Sequence, residues 1–404
     1  LPPSSRKFRI AMIPTANGGV NYYRMATWAF EMRKYRNVEV PLFAFQYDMN
    51  QVHPWQQDFV SVPQIREHIE SLHRAADVVV WQPVYYDHTF DFFNEMHQKY
   101  GKTTIVETDD NYCDVPPWNE AYFSFAPNSR HRQLAIQCMS MADGMIVTTP
   151  HLKELYGKYN ENIEIMPNSL DFKGDRKFVG WDRVSVKKHK GLRIGWIGGR
   201  SHFSDLMMVA PALREVLERH PEVTLCLVNS AVKQSCQLIG RKYPFEGLSN
   251  VQEADRSVPI NRYAEFMAYF GFDIGIAPLV DCNFNRSKSN LRWLEYSALK
   301  IPCVATDISH FSQSINHGKD GFLVKGNDLK TWVQYLELLI IDEHVRTDVG
   351  RAAYKRVKQD FNIVKNAPKY VRHLKTISQF TAMDPEYQED NSWISQHSTP
   401  SLAI

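Results

Sequence analysis

Nearly continuous apolar runs alternate with amphipathic stretches along most of this chain. Short runs rich in Val, Ile, Leu and aromatic residues, bounded by turn residues, predict strands buried on both faces. In the first half they fall at 9–13, 38–45, 78–81, 103–106, 145–148 and 164–166. Helical periodicity fills the intervals at 22–34, 64–75, 90–99 and 130–141. The stretch 171–191 breaks the rhythm. It holds Gly174, Gly180 and the basic run Lys187, Lys188, His189, Lys190, and reads as a solvated connection. From Leu192 the alternation restarts, with strands predicted at 193–197, 224–228, 273–277, 303–306 and 322–324. Helices are predicted at 204–220, 261–270, 289–299, 329–340 and 343–361. Beyond about residue 380 the chain turns polar, with Pro385 and Pro400, and reads as a loosely held tail.

Strands separated by helices imply βαβ units and parallel sheets. Two such series predict an α/β protein with two Rossmann-like, doubly wound domains. Sheets of this kind collect ligands at the carboxyl ends of their strands, so two facing domains share one cleft. Length agrees, since 404 residues exceed what one core organises. A hydrophobic fraction of 44% with 23% charged residues excludes a disordered chain. Lys plus Arg number 47 against 45 Asp plus Glu, a formal net charge of +2. That balance argues against a general polyanion binder, though not against a local basic face. The 6 Cys show no C-x-x-C spacing and the 15 His no H-E-x-x-H, so no metal or redox motif is indicated. So few Cys point to a reducing cytosolic compartment. The opening LPPSSRKFRIAMIP lacks a long apolar core and does not read as a signal peptide. No apolar run approaches the roughly 20 residues of a membrane span.

Gly198, Gly199 and Arg200 follow a predicted strand and precede a helix. Paired glycines let a backbone approach a phosphate, and a helix N-terminus favours an anion. Arg200 suits a phosphate clamp, and His202 follows directly. The same residues also serve as a plain strand-to-helix turn. A second stretch, NFNRSKSN at 283–290, leads into LRWLEYSAL. Ser289 and Asn290 suit a helix start, and with Lys288 and Arg286 they form an anion site. Glu295 shares a helix face with Leu291, and a carboxylate beside a phosphate site suits ribose hydroxyls. The sequence MPNSLD at 166–171 closes the first half. Near the N-terminus, Gly18 and Gly19 lead into Tyr22, Tyr23 and Arg24. Asp109 and Asp110 follow the strand 103–106, placed either to orient or deprotonate a hydroxyl or to cap a turn. The aromatic stretch 118–125 reads as a cleft-lining loop or as a base-stacking surface.

As an ordered set these segments resemble the retaining glycosyltransferases of the GT-B fold, specifically the family 4 group. There a P-N-[GS]-x-D turn closes the first domain, a Gly-rich loop opens the second, and an E-x7-E segment precedes a G-x-P-V-V-A strand. The counterparts here are 167–171, 198–200 and 295–306, and the likeness covers nearly all of 6–380. The segment 18–24 resembles the G-x-x-Y-Y-R opening of bacteriophage-encoded glycosyltransferases. One departure stands out: the first Glu of E-x7-E falls on Ser287, and Lys288 occupies a position usually small.

The resemblance implies a GT-B enzyme with an acceptor domain at 1–172, a linker at 173–191 and a nucleotide-sugar domain at 192–360. A C-terminal helix at 361–380 would pack back on the first domain, ahead of a tail at 381–404. The donor would be a nucleoside-diphosphate sugar, UDP-linked, held by Gly18, Gly19, Gly198, Gly199, Arg200, His202, Lys288, Ser289, Asn290 and Glu295. Arg200 and Lys288 would stabilise the leaving diphosphate. Asp109, Asp110, Tyr22 and Arg24 would face the acceptor. The scheme implies retention of configuration, no obligatory metal or other cofactor, and action in the cytoplasm (the host's, for a phage protein). The phage-like opening implies a hydroxymethylated pyrimidine of DNA as acceptor, contacted by Arg24, Arg33, Lys34, Arg36, Arg130 and Arg132. The alternatives are a surface glycan or lipid-linked acceptor and, given the missing Glu, an inactive nucleotide-sugar binding module.

Overall fold

A computed structural model describes residues 6–15, 18–41, 59–175, 178–256 and 258–379. The apolar runs of the first half form β1 (Phe8–Ile13), β2 (Val38–Glu39), β3 (Val78–Trp81), β4 (Thr103–Thr108), β5 (Gly144–Val147) and β6 (Ile163–Ile165). They make one parallel sheet in the order β2-β1-β3-β4-β5-β6. Successive side chains leave opposite faces of a strand. Accordingly Ile10, Met12, Val78 and Val80 enter one core, while Ala11, Ile13, Val79 and Trp81 enter another behind the sheet. Burial on both sides is why these strands carry no polar alternation.

The second half forms β7 (Arg193–Ile197), β8 (Thr224–Val228), β9 (Val251–Ala254), β10 (Ile274–Ala277), β11 (Cys303–Thr306) and β12 (Phe322–Val324). They too are all parallel, in the order β12-β11-β10-β7-β8-β9. The order reverses between β7 and β10, so the loops after those two strands flank the switch point where such sheets bind ligands. In the first sheet the reversal lies between β1 and β3.

Three differences from the sequence pattern have local causes. The edge strand β9 was not expected, because its sequence VQEA exposes Gln252 and Glu253. The predicted helix 289–299 is shorter, Leu291–Ala298, with a separate turn at Asn283–Arg286. The connection 171–191 is less solvated than its charge suggested. Trp181 is buried, and backbone bonds from Val179 to Asn261 and from Lys187 to Ala268 strap the segment onto the second half. Of the strand expected at 38–45, residues 42–45 lie outside the described residues, as does the tail beyond 379.

The chain ends with helices Leu329–Ile341, Glu343–Asp360 and Ile363–Ser378. Between the last two, Asn362 caps the final helix by accepting from Val364 N, and the chain turns back to the first half. Leu170 N donates to Phe361 O and Ile363 N to Leu170 O. Tyr370 packs edge-on against Trp28, ring centroids 5.1 Å apart. The final helix thus covers the helix Thr27–Met32 and braces the two halves together.

Candidate active site

Behind β7, Gly198 takes the turn: a Cβ there would meet the Trp196 ring at 2.6 Å. Gly199 is exposed and has room for a Cβ, so it presents bare backbone to the cleft. The turn Arg200–His202 then opens the 17-residue helix Phe203–Arg219. Arg200 lies on the exposed rim, donating to Gln234 Oε1 at 3.0 Å. His202 Nδ1 meets Asp205 Oδ2 at 2.8 Å.

Across the switch point, the 283–295 segment meets the carboxyl ends of the first sheet. Lys288 Nζ donates to Asp110 Oδ1 at 2.6 Å and lies over the Phe284 ring. Asn111 Nδ2 donates to Ser287 Oγ at 3.0 Å, and Thr149 Oγ1 to Ser287 O at 3.3 Å. Asn168 Nδ2 donates to Ser289 Oγ at 2.9 Å. Tyr23 OH donates to Glu295 Oε1 at 2.8 Å, while Arg292 holds the other oxygen at 2.6 Å. The segment expected to hold a donor is therefore clasped by the first half along its length. Ser287, the departure from E-x7-E, is fully buried at this junction, its hydroxyl engaged by Asn111.

Burial tends to raise the Asp110 pKa, but Lys288 outweighs it and the net shift is downward. Asp109 has the opposite fate: burial, then the charge of Asp110, push its pKa up to about 6. Burial opposes the Lys288 charge, yet the facing carboxylates, Asp110 foremost, raise its pKa. Glu295 is raised by burial against the pull of Arg292 and the Tyr23 bond. A low-dielectric setting explains these directions, since each unpaired charge there is costly and each paired one is held firmly.

Gly18 has φ +95°, where L side chains are strained, and among the described residues a Cβ on Gly18 or Gly19 would meet nothing within 4 Å. The pair therefore forms an open loop rather than a packing contact. Helix follows at once, with a π-helical turn over Tyr22–Ala26. That turn directs Tyr22 and Arg24 into the core, which corrects their expected acceptor-facing placement. Arg24 is sealed from solvent, its Nε on Glu107 at 2.6 Å and its two terminal nitrogens on Asn168 Oδ1 and Met166 O, each at 2.9 Å. Burial pushes Glu107 up to about 7 even beside Arg24. Tyr22 packs on Tyr23 and Phe178. Asn290, expected at the donor, is likewise buried, its Nδ2 on Ser314 at 2.8 Å. The basic residues nominated for DNA are partly engaged: Lys34 pairs with Glu31, Arg130 with Asp87, and Arg33 Nε donates to Val40 O.

Around Lys288 the structure thus gathers Asp109, Asp110 and His202, with Ser289 held by Asn168 beside it and Glu295 buried between Tyr23 and Arg292. Tyr23, Asn111, Asn168 and Asp205 lie at the same junction; the first three stand in segments already picked out from the sequence, whereas Asp205 was not singled out. Asp205 had a signal, being three residues after His202 in a helix's first turn. Beside the cleft, a groove of about 380 Å³ opens between Pro150–His151 and the loop carrying Asp307 and Ser309. Among the described residues, no group of three or more His, Cys, Asp or Glu is placed to hold a metal ion.

Two parallel Rossmann-like sheets around such a cleft are the GT-B architecture, and solved structures carry it. Sucrose-phosphate synthase from Thermosynechococcus elongatus matches with TM-score 0.63 at 14% identity, covering 92% of this chain and 100% of that one. Anabaena HepE in complex with UDP-glucose matches with TM-score 0.59 at 13% identity, with the same coverages. Residues 291–356 match the family model described as glycosyl transferases group 1. A D-inositol 3-phosphate glycosyltransferase of Corynebacterium jeikeium (strain K411) is 27% identical over 250 residues, 56% of each chain. A capsular polysaccharide biosynthesis glycosyltransferase, CapM of Staphylococcus aureus, is 32% identical over 69 residues, 17% of this chain and 18% of its own. The chain spans about half the length of the first curated relatives it matches, 56% and 48%. Over part of its length the chain is thus similar to group 1 glycosyl transferases.

Proposed function

We propose that the protein is a glycosyltransferase that moves a hexosyl or pentosyl group from a nucleoside-diphosphate sugar, UDP-linked, to an acceptor hydroxyl with retention. The observation that carries this reading is the meeting of the two halves along the 283–295 segment, Lys288 with Asp110 and Glu295 with Tyr23. In this scheme Lys288 and the backbone of the loop after β7 take the charge growing on the departing diphosphate. Arg200 adds a second cation when its long side chain turns inward from the rim. Glu295 accepts ribose hydroxyls in place of Tyr23. Asp109, with its raised pKa, orients the acceptor hydroxyl and takes its proton. Cations fixed on the chain supply the charge, so the proposal includes no obligatory metal.

For the acceptor, we favour a carbohydrate hydroxyl of a glycan or lipid-linked sugar. Arg24, one of the contacts expected for DNA phosphates, is buried, and the relatives are named for small polyol and polysaccharide chemistry. Hydroxymethylated DNA ranks second and an inactive binding module third. The described Cys are all unpaired, in keeping with a cytoplasmic site of action. Among the described residues no helix is long and apolar enough to cross a membrane.

The test is incubation with labelled UDP-, GDP- and ADP-sugars, with and without chelator, against an oligosaccharide, a polyol phosphate, a lipid-linked sugar and hydroxymethylated DNA. Chelator-resistant transfer to one of the first three is the expected result. An adduct on DNA alone would promote the second reading, and nucleotide binding without any turnover the third.

A further inference from the structure

Asp205 stands in the first turn of the helix Phe203–Arg219 and is 3% exposed. An ionised carboxylate only accepts hydrogen bonds, and both oxygens are in use. Oδ1 accepts from Val280 N and from Asn285 Nδ2, each at 2.8 Å. Oδ2 faces His202 Nδ1 at 2.8 Å. One buried carboxylate therefore ties the loop after β7 to the loop after β10, the two loops that flank the switch point of the second sheet.

The contact also fixes a tautomer. With an acceptor on Nδ1, the proton sits there and Nε2 is left for another partner. The His202 side chain is 32% exposed, so that partner can come from the cleft. The imidazole touches Asp205, and Asp110, held below its ordinary pKa chiefly by Lys288, feels it as well. Lys288 is near enough to feel Asp205, and Arg200 is two residues upstream.

We propose that Asp205 is a positioning residue that holds His202 with Nε2 free for the donor's diphosphate and locks the 280–285 loop to the phosphate loop. The assignment rests on the nucleotide-sugar reading. As the diphosphate binds, Nε2 takes a proton from water and donates it in a hydrogen bond to a phosphate oxygen, while Nδ1 keeps its own proton on Asp205 and the carboxylate holds the positive ring in place. Asp205→Asn keeps the shape and an oxygen for Val280 and Asn285, but offers His202 an N–H. Nδ1 must then become the acceptor and the tautomer flips, so the ring meets the phosphate as a neutral Nε2–H with no carboxylate to hold a positive charge.

The experiment uses full-length protein with ¹⁵N-labelled histidine, His202→Gln serving to assign the resonance. The expected result is an Nδ1-protonated ring whose Nε2 signal moves when UDP, GDP or ADP binds, and a flipped tautomer in Asp205→Asn. The kcat for transfer should fall on the order of 10²-fold in Asp205→Asn and in His202→Gln, with no further loss in the double variant. The melting temperature of Asp205→Asn should report an intact fold. A silent Nε2 with a nucleotide bound, an unprotonated Nδ1, or wild-type kcat in Asp205→Asn would overturn this assignment while leaving the donor reading in place. Absence of nucleotide binding by calorimetry would overturn both.

Discussion

Arg24 lies in a run, GGVNYYR, that points toward an acceptor, yet its guanidinium is shut inside the first half by Glu107, Asn168 and Met166. A buried pair broken on one side leaves an uncompensated charge, which costs about 3–5 kcal/mol. Arg24→Met should therefore lose about that much stability in urea unfolding, and an acceptor KM effect with unchanged stability would contradict the burial. Asp109 is the residue whose titration should be visible. Its pKa is pushed up to about 6 by burial and then Asp110, and transfer needs the ionised form. The kcat/KM should fall as pH drops below about 6, and Asp109→Asn should be slow without that limb. Stability runs the other way: the folded chain holds this proton more tightly than the unfolded one. The group's contribution thus declines as pH rises from the ordinary carboxylate range to about 6.

The 283–295 segment concentrates the chemistry on one element. Its sequence placed Lys288, Ser289 and Glu295 correctly beside a helix start, because caps and i, i+4 spacing are local properties. Their partners were not legible: Asp110, Asn168 and Tyr23 lie 178, 121 and 272 residues away. Lys288→Ala should lower kcat by about 10²–10³-fold through loss of leaving-group stabilisation, while circular dichroism stays unchanged. A rate within twofold of wild type would remove Lys288 from the diphosphate. The same segment explains why Asn290 misled: as the residue before Leu291 it read as a cap, but it faces Ser314 beneath the helix.

At the scale of the whole molecule, the last helix braces the two halves. Tyr370 is fully buried against Trp28, an N-terminal-half residue, although it belongs to the C-terminal helix. Removing a ring of that size from a packed core costs about 3–5 kcal/mol. Tyr370→Ala should lower the thermal midpoint of the entire chain, with both halves melting together. Separate transitions with only the first half affected would mean the brace is weaker than its packing implies.

The alternation of apolar and amphipathic segments by itself determined two parallel α/β halves, since strands buried on both faces must be continuously apolar and connected by helices. It also determined the glycine turns and the helix start that carries Lys288. It missed β9, whose edge position leaves polar residues exposed. Only the tertiary structure decided which polar groups face water and which are sealed. Tyr22, Arg24 and Asn290 went inward, while Tyr23, Asn111 and Asn168 reached across to the second half. The physical reason is that periodicity reports one element's own two faces, whereas the cleft is made where loops from two sheets meet, and no local spacing encodes that meeting.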